Sequence, residues 1–185
     1  MTAVEKHFQE RPKRRMYPKP TILVVYGLPG SGKTKLAADL ALLLNGMHVN
    51  ADAVRSSLNR DLGFTAEDRV TNAFRLGATS GLVAAYSPLN VVVVDFVNPT
   101  CETQKAFIDG LRSVDETFSD PDCVRLKFVW LDTIRRDQSR FADTAALFDS
   151  SRVSHPNKSQ YAASLVITGG SSEERLTKVM ARFFS

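Results

Sequence analysis

Gly27-Leu28-Pro29-Gly30-Ser31-Gly32-Lys33-Thr34 reads G-x-x-x-x-G-K-[ST], and its flanks decide the fold. The apolar run Ile22-Leu23-Val24-Val25-Tyr26 precedes it, and Leu36, Ala37, Leu40, Leu43 and Leu44 follow at helical spacing. A strand, a glycine-rich turn and a helix in that order make a phosphate loop. Glycines let successive N–H groups converge on phosphate oxygens, and the helix N-terminus adds the positive end of its dipole. Gly27, Gly30, Ser31, Gly32, Lys33 and Thr34 are therefore the expected nucleotide-binding residues, and ATP with Mg²⁺ the expected cofactors. Lys33 is placed to reach the β- and γ-phosphates, and the Thr34 hydroxyl to ligate the metal.

The chain has 185 residues, 43% hydrophobic and 24% charged, which suits one globular domain with a substantial core. Its apolar runs are far shorter than the ~20 residues that span a bilayer, and the first residues are charged where a signal peptide is apolar. The expectation is a soluble, cytoplasmic protein without membrane contact. Cys101 and Cys123 lack metal-ligand spacing and read as free thiols. The formal charge of +4 sits entirely in the leader 1–20, where Lys6, Arg11, Lys13, Arg14, Arg15 and Lys19 face only Glu5 and Glu10. Such an arm either lies on nucleic acid through counterion release or is a solvated, flexible leader.

Outward from the loop, Asn45-Gly46 stops the first helix. Residues 47–50 read as a second strand, with His48 a packing or surface residue. A short helix is expected over 53–60, and Thr65 caps a long helix running to about residue 86. Val91-Val92-Val93-Val94-Asp95 is apolar on both faces, as a central parallel strand requires. Asp95, at its end, reads as a metal carboxylate held directly or through water, or otherwise as a turn residue. A helix is expected over 102–118, strands over 126–131 and 164–168, and a final helix bearing Leu176, Val179, Met180 and Phe183 on one face. Between the last two strands, about residues 133–160, lies a polar segment with Arg135, Arg136, Arg140, Arg152 and His155. It reads as a lid, with Arg136 and Arg140 its candidates, or as a solvated helix pair.

Alternating strands and helices over 21–185 predict one α/β domain, a three-layer sandwich with a parallel five-stranded sheet covered on both faces. Analogy with P-loop kinases gives the strand order 2-3-1-4-5. After the second strand come Asp52, Arg55, Phe64, Arg69, Asn72 and Arg75. A carboxylate there can take the proton of an attacking hydroxyl, and arginines can clamp an anionic acceptor.

Leu58-Asn59-Arg60-Asp61-Leu62-Gly63-Phe64-Thr65-Ala66-Glu67-Asp68-Arg69, followed by Asn72 and Arg75, resembles the adenylyl-sulfate kinase pattern LNxxLGFSxEDRxxNxRR. The resemblance runs from the first strand to about Pro99. It implies transfer of the γ-phosphate of ATP to the 3′-hydroxyl of adenylyl sulfate. Arg55, Phe64, Arg69 and Asn72 would then hold a small nucleotide-like acceptor, and Asp52 would be the catalytic base beside Lys33. Three departures stand against it. Asn50-Ala51-Asp52 replaces DGD, Phe74 replaces one of the paired arginines, and KARAGxIxxFTG has no counterpart over 132–156. Asn50-Ala51-Asp52-Ala53-Val54-Arg55 and Asp95 with Asn98-Pro99 are also similar to polynucleotide 5′-hydroxyl kinases. That likeness implies a hydroxyl of nucleic acid, or of a hydroxymethylated base in DNA, as acceptor, with the basic arm on its backbone. A slow ATPase switch is the non-catalytic alternative, and homodimerisation is left open.

Overall fold

The structure, a computed structural model, describes residues 19–97, 100–119, 125–133 and 164–185. Most of the basic leader, Asn98-Pro99, Cys123, and the lid segment with Arg135, Arg136, Arg140, Arg152 and His155 lie outside the described residues. Strands β1 (Thr21–Gly27), β2 (Met47–Asn50), β3 (Val91–Phe96), β4 (Arg125–Leu131) and β5 (Leu165–Ile167) form one sheet. Its order is β2-β3-β1-β4-β5 and every pairing is parallel, as the sequence predicts.

Side-chain alternation along β1 separates two cores. Ile22, Val24 and Tyr26 face helices α3 (Ala66–Tyr86) and α4 (Cys101–Val114), while Leu23 and Val25 face α1 (Lys33–Leu43) and α5 (Ser172–Phe183). The helices on either face and the sheet between them are the three expected layers. All seven residues of β1 are buried, which is why residues 22–26 run apolar without interruption. Tyr26 meets the Trp130 ring edge-on at 5.0 Å, so Trp130 is core. Among the described residues no helix is long and apolar enough to cross a membrane.

Two helix boundaries differ from expectation. Asn50 Oδ1 accepts from the Ala53 N–H at 2.8 Å, so the short helix α2 (Ala51–Ser57) starts directly behind β2. The helix expected over 102–118 ends at Val114. Asp115 Oδ1 accepts from the Thr117 N–H and hydroxyl, at 2.9 and 2.6 Å, and redirects the chain into a 3₁₀ turn, Glu116–Ser119. Thr65 and Asp68 form the expected reciprocal cap on α3.

Helices α3 and α4 cross at glycines. A methyl group on Gly77 would lie 2.0 Å from the Phe107 carbonyl oxygen, and one on Gly110 2.0 Å from that of Phe74. The two backbones touch, and no side chain can be inserted between them without parting the helices. Gly77→Ala and Gly110→Ala should each lower the unfolding free energy by about 1–3 kcal/mol, read from urea midpoints at constant m. An unchanged midpoint would mean that the crossing yields without strain.

Candidate functional site

The phosphate loop turns through left-handed backbone at Gly30 (φ 73°) and Gly32 (φ 93°), conformations that favour glycine. It opens into α1, whose first turn carries no acidic residue, so nothing competes for the positive end of the helix dipole. Lys33 is buried, and its ammonium donates to the Leu28 carbonyl across the loop at 2.8 Å. The Thr34 hydroxyl donates to Asp95 Oδ2 at 2.7 Å. The expected hydroxyl and strand-end carboxylate are thereby brought together from residues far apart in the chain.

Asp95 is 2% exposed and occupies the C-terminal end of β3, in register with Asn50 of β2 and Val25 of β1. Ligands of open parallel sheets bind at this edge. Oδ1 accepts from His48 Nε2 at 2.6 Å and from Asn50 Nδ2 at 3.0 Å, and Asn50 also reaches Oδ2 at 3.3 Å. Burial alone would push this carboxyl up. The bonds from His48, Thr34 and Asn50 outweigh burial and hold it below the usual carboxylate range. His48 is thus neither a packing nor a surface residue, contrary to the sequence reading, but a partner of Asp95. The signal for it was present: polar His48 and Asn50 alternate with buried Val49, which puts both on one side of β2. Thr34 and Asp95 offer the hard oxygen donors that suit Mg²⁺. Among the described residues no group of three or more His, Cys, Asp or Glu could hold a metal ion by itself.

Beyond the strand ends lies an open cavity lined by Asp52, Arg55, Phe64, Arg69, Asn72 and Thr103. The structure thus brings together Asp52, Arg55, Phe64, Arg69 and Asn72 of the polar group that the sequence places after the second strand, and leaves out Arg75. Asp52 sits exposed in the first turn of α2, without a hydrogen-bond partner among the described residues. The Phe64 ring is 71% exposed, and two guanidinium groups approach it, Arg55 at 4.7 Å and Arg69 at 5.8 Å from its centroid. Arg55 donates to the Gly63 carbonyl and Arg69 Nε to the Phe64 carbonyl at 3.0 Å, so the loop and both arginines form one unit. Partial burial and the neighbouring Arg55 charge both lower the pKa of Arg69. Among the described residues no carboxylate pairs with either arginine, and a bound anion would relieve their repulsion. Asn59 Nδ2 donates to Asn72 Oδ1 at 2.9 Å, which leaves the Asn72 N–H₂ group to offer a ligand. Arg75 belongs elsewhere: it pairs with Asp61 at 2.7 Å. Thr103, buried in the first turn of α4, is a lining residue that sequence reasoning missed.

A family model described as adenylylsulphate kinase matches residues 19–121. The chain belongs to the adenylylsulphate kinase family. It is 37% identical over 99 residues to the adenylyl-sulfate kinase of Deinococcus deserti, a stretch that makes up 51% of this chain and 54% of that relative. It is 43% identical over 86 residues to the bifunctional enzyme NodQ of Rhizobium tropici, covering 44% of this chain and 13% of the relative. The chain thus spans about half the length of the first relative and a small part of the second. Among solved structures, the Mycobacterium tuberculosis APS kinase CysC in complex with AMPPNP and APS superposes with a TM-score of 0.64 at 25% identity. That superposition covers 91% of this chain and 100% of the other. The family match takes in the phosphate loop, the Asp95 cluster and the whole cavity, and stops before β4.

The lowered Asp95 pKa fixes the sign of a pH dependence. A carboxyl that titrates lower in the folded than in the unfolded chain stabilises the fold above its unfolded value, about pH 4, and that contribution is lost as pH falls through the folded value. Urea midpoints measured from pH 7 to 3 should therefore hold near neutrality and decline on the acid side. Asp95→Asn should flatten that decline. An equal acid slope in the variant would assign the loss to other carboxylates.

Proposed function

We propose that this chain transfers the γ-phosphate of ATP to the 3′-hydroxyl of adenylyl sulfate. The observation that carries the reading is the cavity beside Asp95, lined by the Asp52 carboxylate, which has no partner among the described residues, and by two guanidinium groups that share an aromatic ring. The phosphate-loop N–H groups and Lys33 receive the triphosphate. Thr34 and Asp95 would hold Mg²⁺ together with phosphate oxygens, where it neutralises charge on the transferring group. Arg55 and Arg69 clamp the anionic end of the acceptor, Phe64 stacks on its base, and the Asn72 amide donates to it. Asp52 takes the proton of the 3′-hydroxyl as its oxygen attacks the γ-phosphorus. The bond from that phosphorus to the β-phosphate bridging oxygen then breaks, and ADP leaves with the electron pair.

The nucleic-acid alternative rests on a basic arm outside the described residues and on short motifs that the family match covers equally well. It gains no support from the cavity. The decisive experiment is transfer of labelled γ-phosphate across adenylyl sulfate, nucleosides, and unmodified or hydroxymethylated DNA. Only adenylyl sulfate should be labelled efficiently; preferential labelling of DNA would overturn the acceptor assignment. Lys33→Ala should slow transfer on the order of a thousandfold in a folded protein. Asp52→Asn should slow it roughly a hundredfold with ATP affinity unchanged. Arg69→Ala should act mainly on the acceptor, raising its KM by about tenfold.

A further inference from the structure

The carbonyl of Ser31, at the crown of the phosphate loop, is held from outside by two side chains that no motif announces. Arg175 Nη1 donates to it at 3.0 Å and Thr133 Oγ1 at 3.1 Å, across sequence separations of 144 and 102 residues. Arg175 is firmly based. It lies in the first turns of α5, behind the reciprocal cap of Ser171 and Glu174, and Val179 of the same helix is fully buried in the second core. Its guanidinium covers the outer side of Gly32, 3.1 Å from where a Cβ would stand. Its Nε is buried without a hydrogen-bond partner, and among the described residues no carboxylate pairs with it.

A trans peptide points its C=O and its N–H in opposite directions. With the Ser31 oxygen bound by Arg175 and Thr133, the N–H of Gly32 points away from both. We propose that Arg175 is a positioning residue for the phosphate loop: it fixes the Ser31–Gly32 peptide in the orientation that receives phosphate oxygens, and it adds behind them a positive charge that no carboxylate pairs among the described residues. Gly32 adopts left-handed backbone and has more conformations to lose than any other residue type, so an external tie spares that ordering at the moment of binding. The inference rests on the nucleotide-binding half of the proposed function and is independent of the acceptor.

The test uses the full chain with Arg175→Met, which keeps an apolar stem without donors, and Arg175→Lys, which restores one donor and the charge. Calorimetry would give affinities for ATP and for tripolyphosphate, which carries the phosphates without base or sugar, and thermal unfolding would be followed without ligand. Arg175→Met should weaken both ligands by about tenfold while the ligand-free unfolding midpoint stays near wild type, and Arg175→Lys should recover most of the loss. Wild-type affinity for tripolyphosphate in Arg175→Met would overturn the proposal. A loss of affinity that only tracks a fallen ligand-free midpoint would overturn it too, because the contact would then be merely structural. A wild-type chain that binds ATP but leaves adenylyl sulfate unlabelled refutes the acceptor reading, while the contrast between the variants still decides the role of Arg175.

Discussion

A carboxylate that is 2% exposed must find donors for its lone pairs or lose its charge, and Asp95 finds three. Its partners come from separate elements: Thr34 from the phosphate loop, His48 and Asn50 from β2. Satisfying one buried charge therefore locks the loop, the β2 edge of the sheet and the start of α2 into a single arrangement. Asn50 serves twice, donating to Asp95 and capping the helix that presents Asp52 and Arg55. The geometry of the cavity is, through that residue, a consequence of the geometry around the carboxylate.

This also explains a departure from the family pattern. An aspartate in the place of Asn50 would confront Asp95 with a second carboxylate about 3 Å away, a pair that cannot both ionise without a cation between them. Asparagine donates where aspartate can only accept, and His48 adds a further donor on the same side of the strand. The chain compensates Asp95 with its own side chains.

What could be read from the chain followed from how local its causes are. The phosphate loop is legible because its backbone tolerates few residue types at fixed spacing. Asp52 with Arg55, and Arg69 with Asn72, stand three apart on helices and so share a face. Sheet order came from analogy and the layers from the alternation of strands with helices. The misses have distant partners or local competition. His48 meets Asp95 across 47 residues and Arg175 meets Ser31 across 144, so no window of sequence contains either pair. Arg75 was grouped with the acceptor residues by proximity in the chain, yet its side chain turns to Asp61. Asp115 ended a helix early because its own carboxylate competes for backbone N–H groups, a choice that helical periodicity does not register.

The contact of α3 with α4 at Gly77 and Gly110 has a bearing on how this scaffold changes over evolutionary time. Arg69 and Asn72 stand on one of these helices and Thr103 on the other, and the pair is joined backbone to backbone with no side chain as a spacer. Enlarging or narrowing the cavity by sliding one helix along the other would break that contact first. What this contact leaves free to change is the set of side chains on a wall of fixed dimensions: the surface can be repainted while the frame stays.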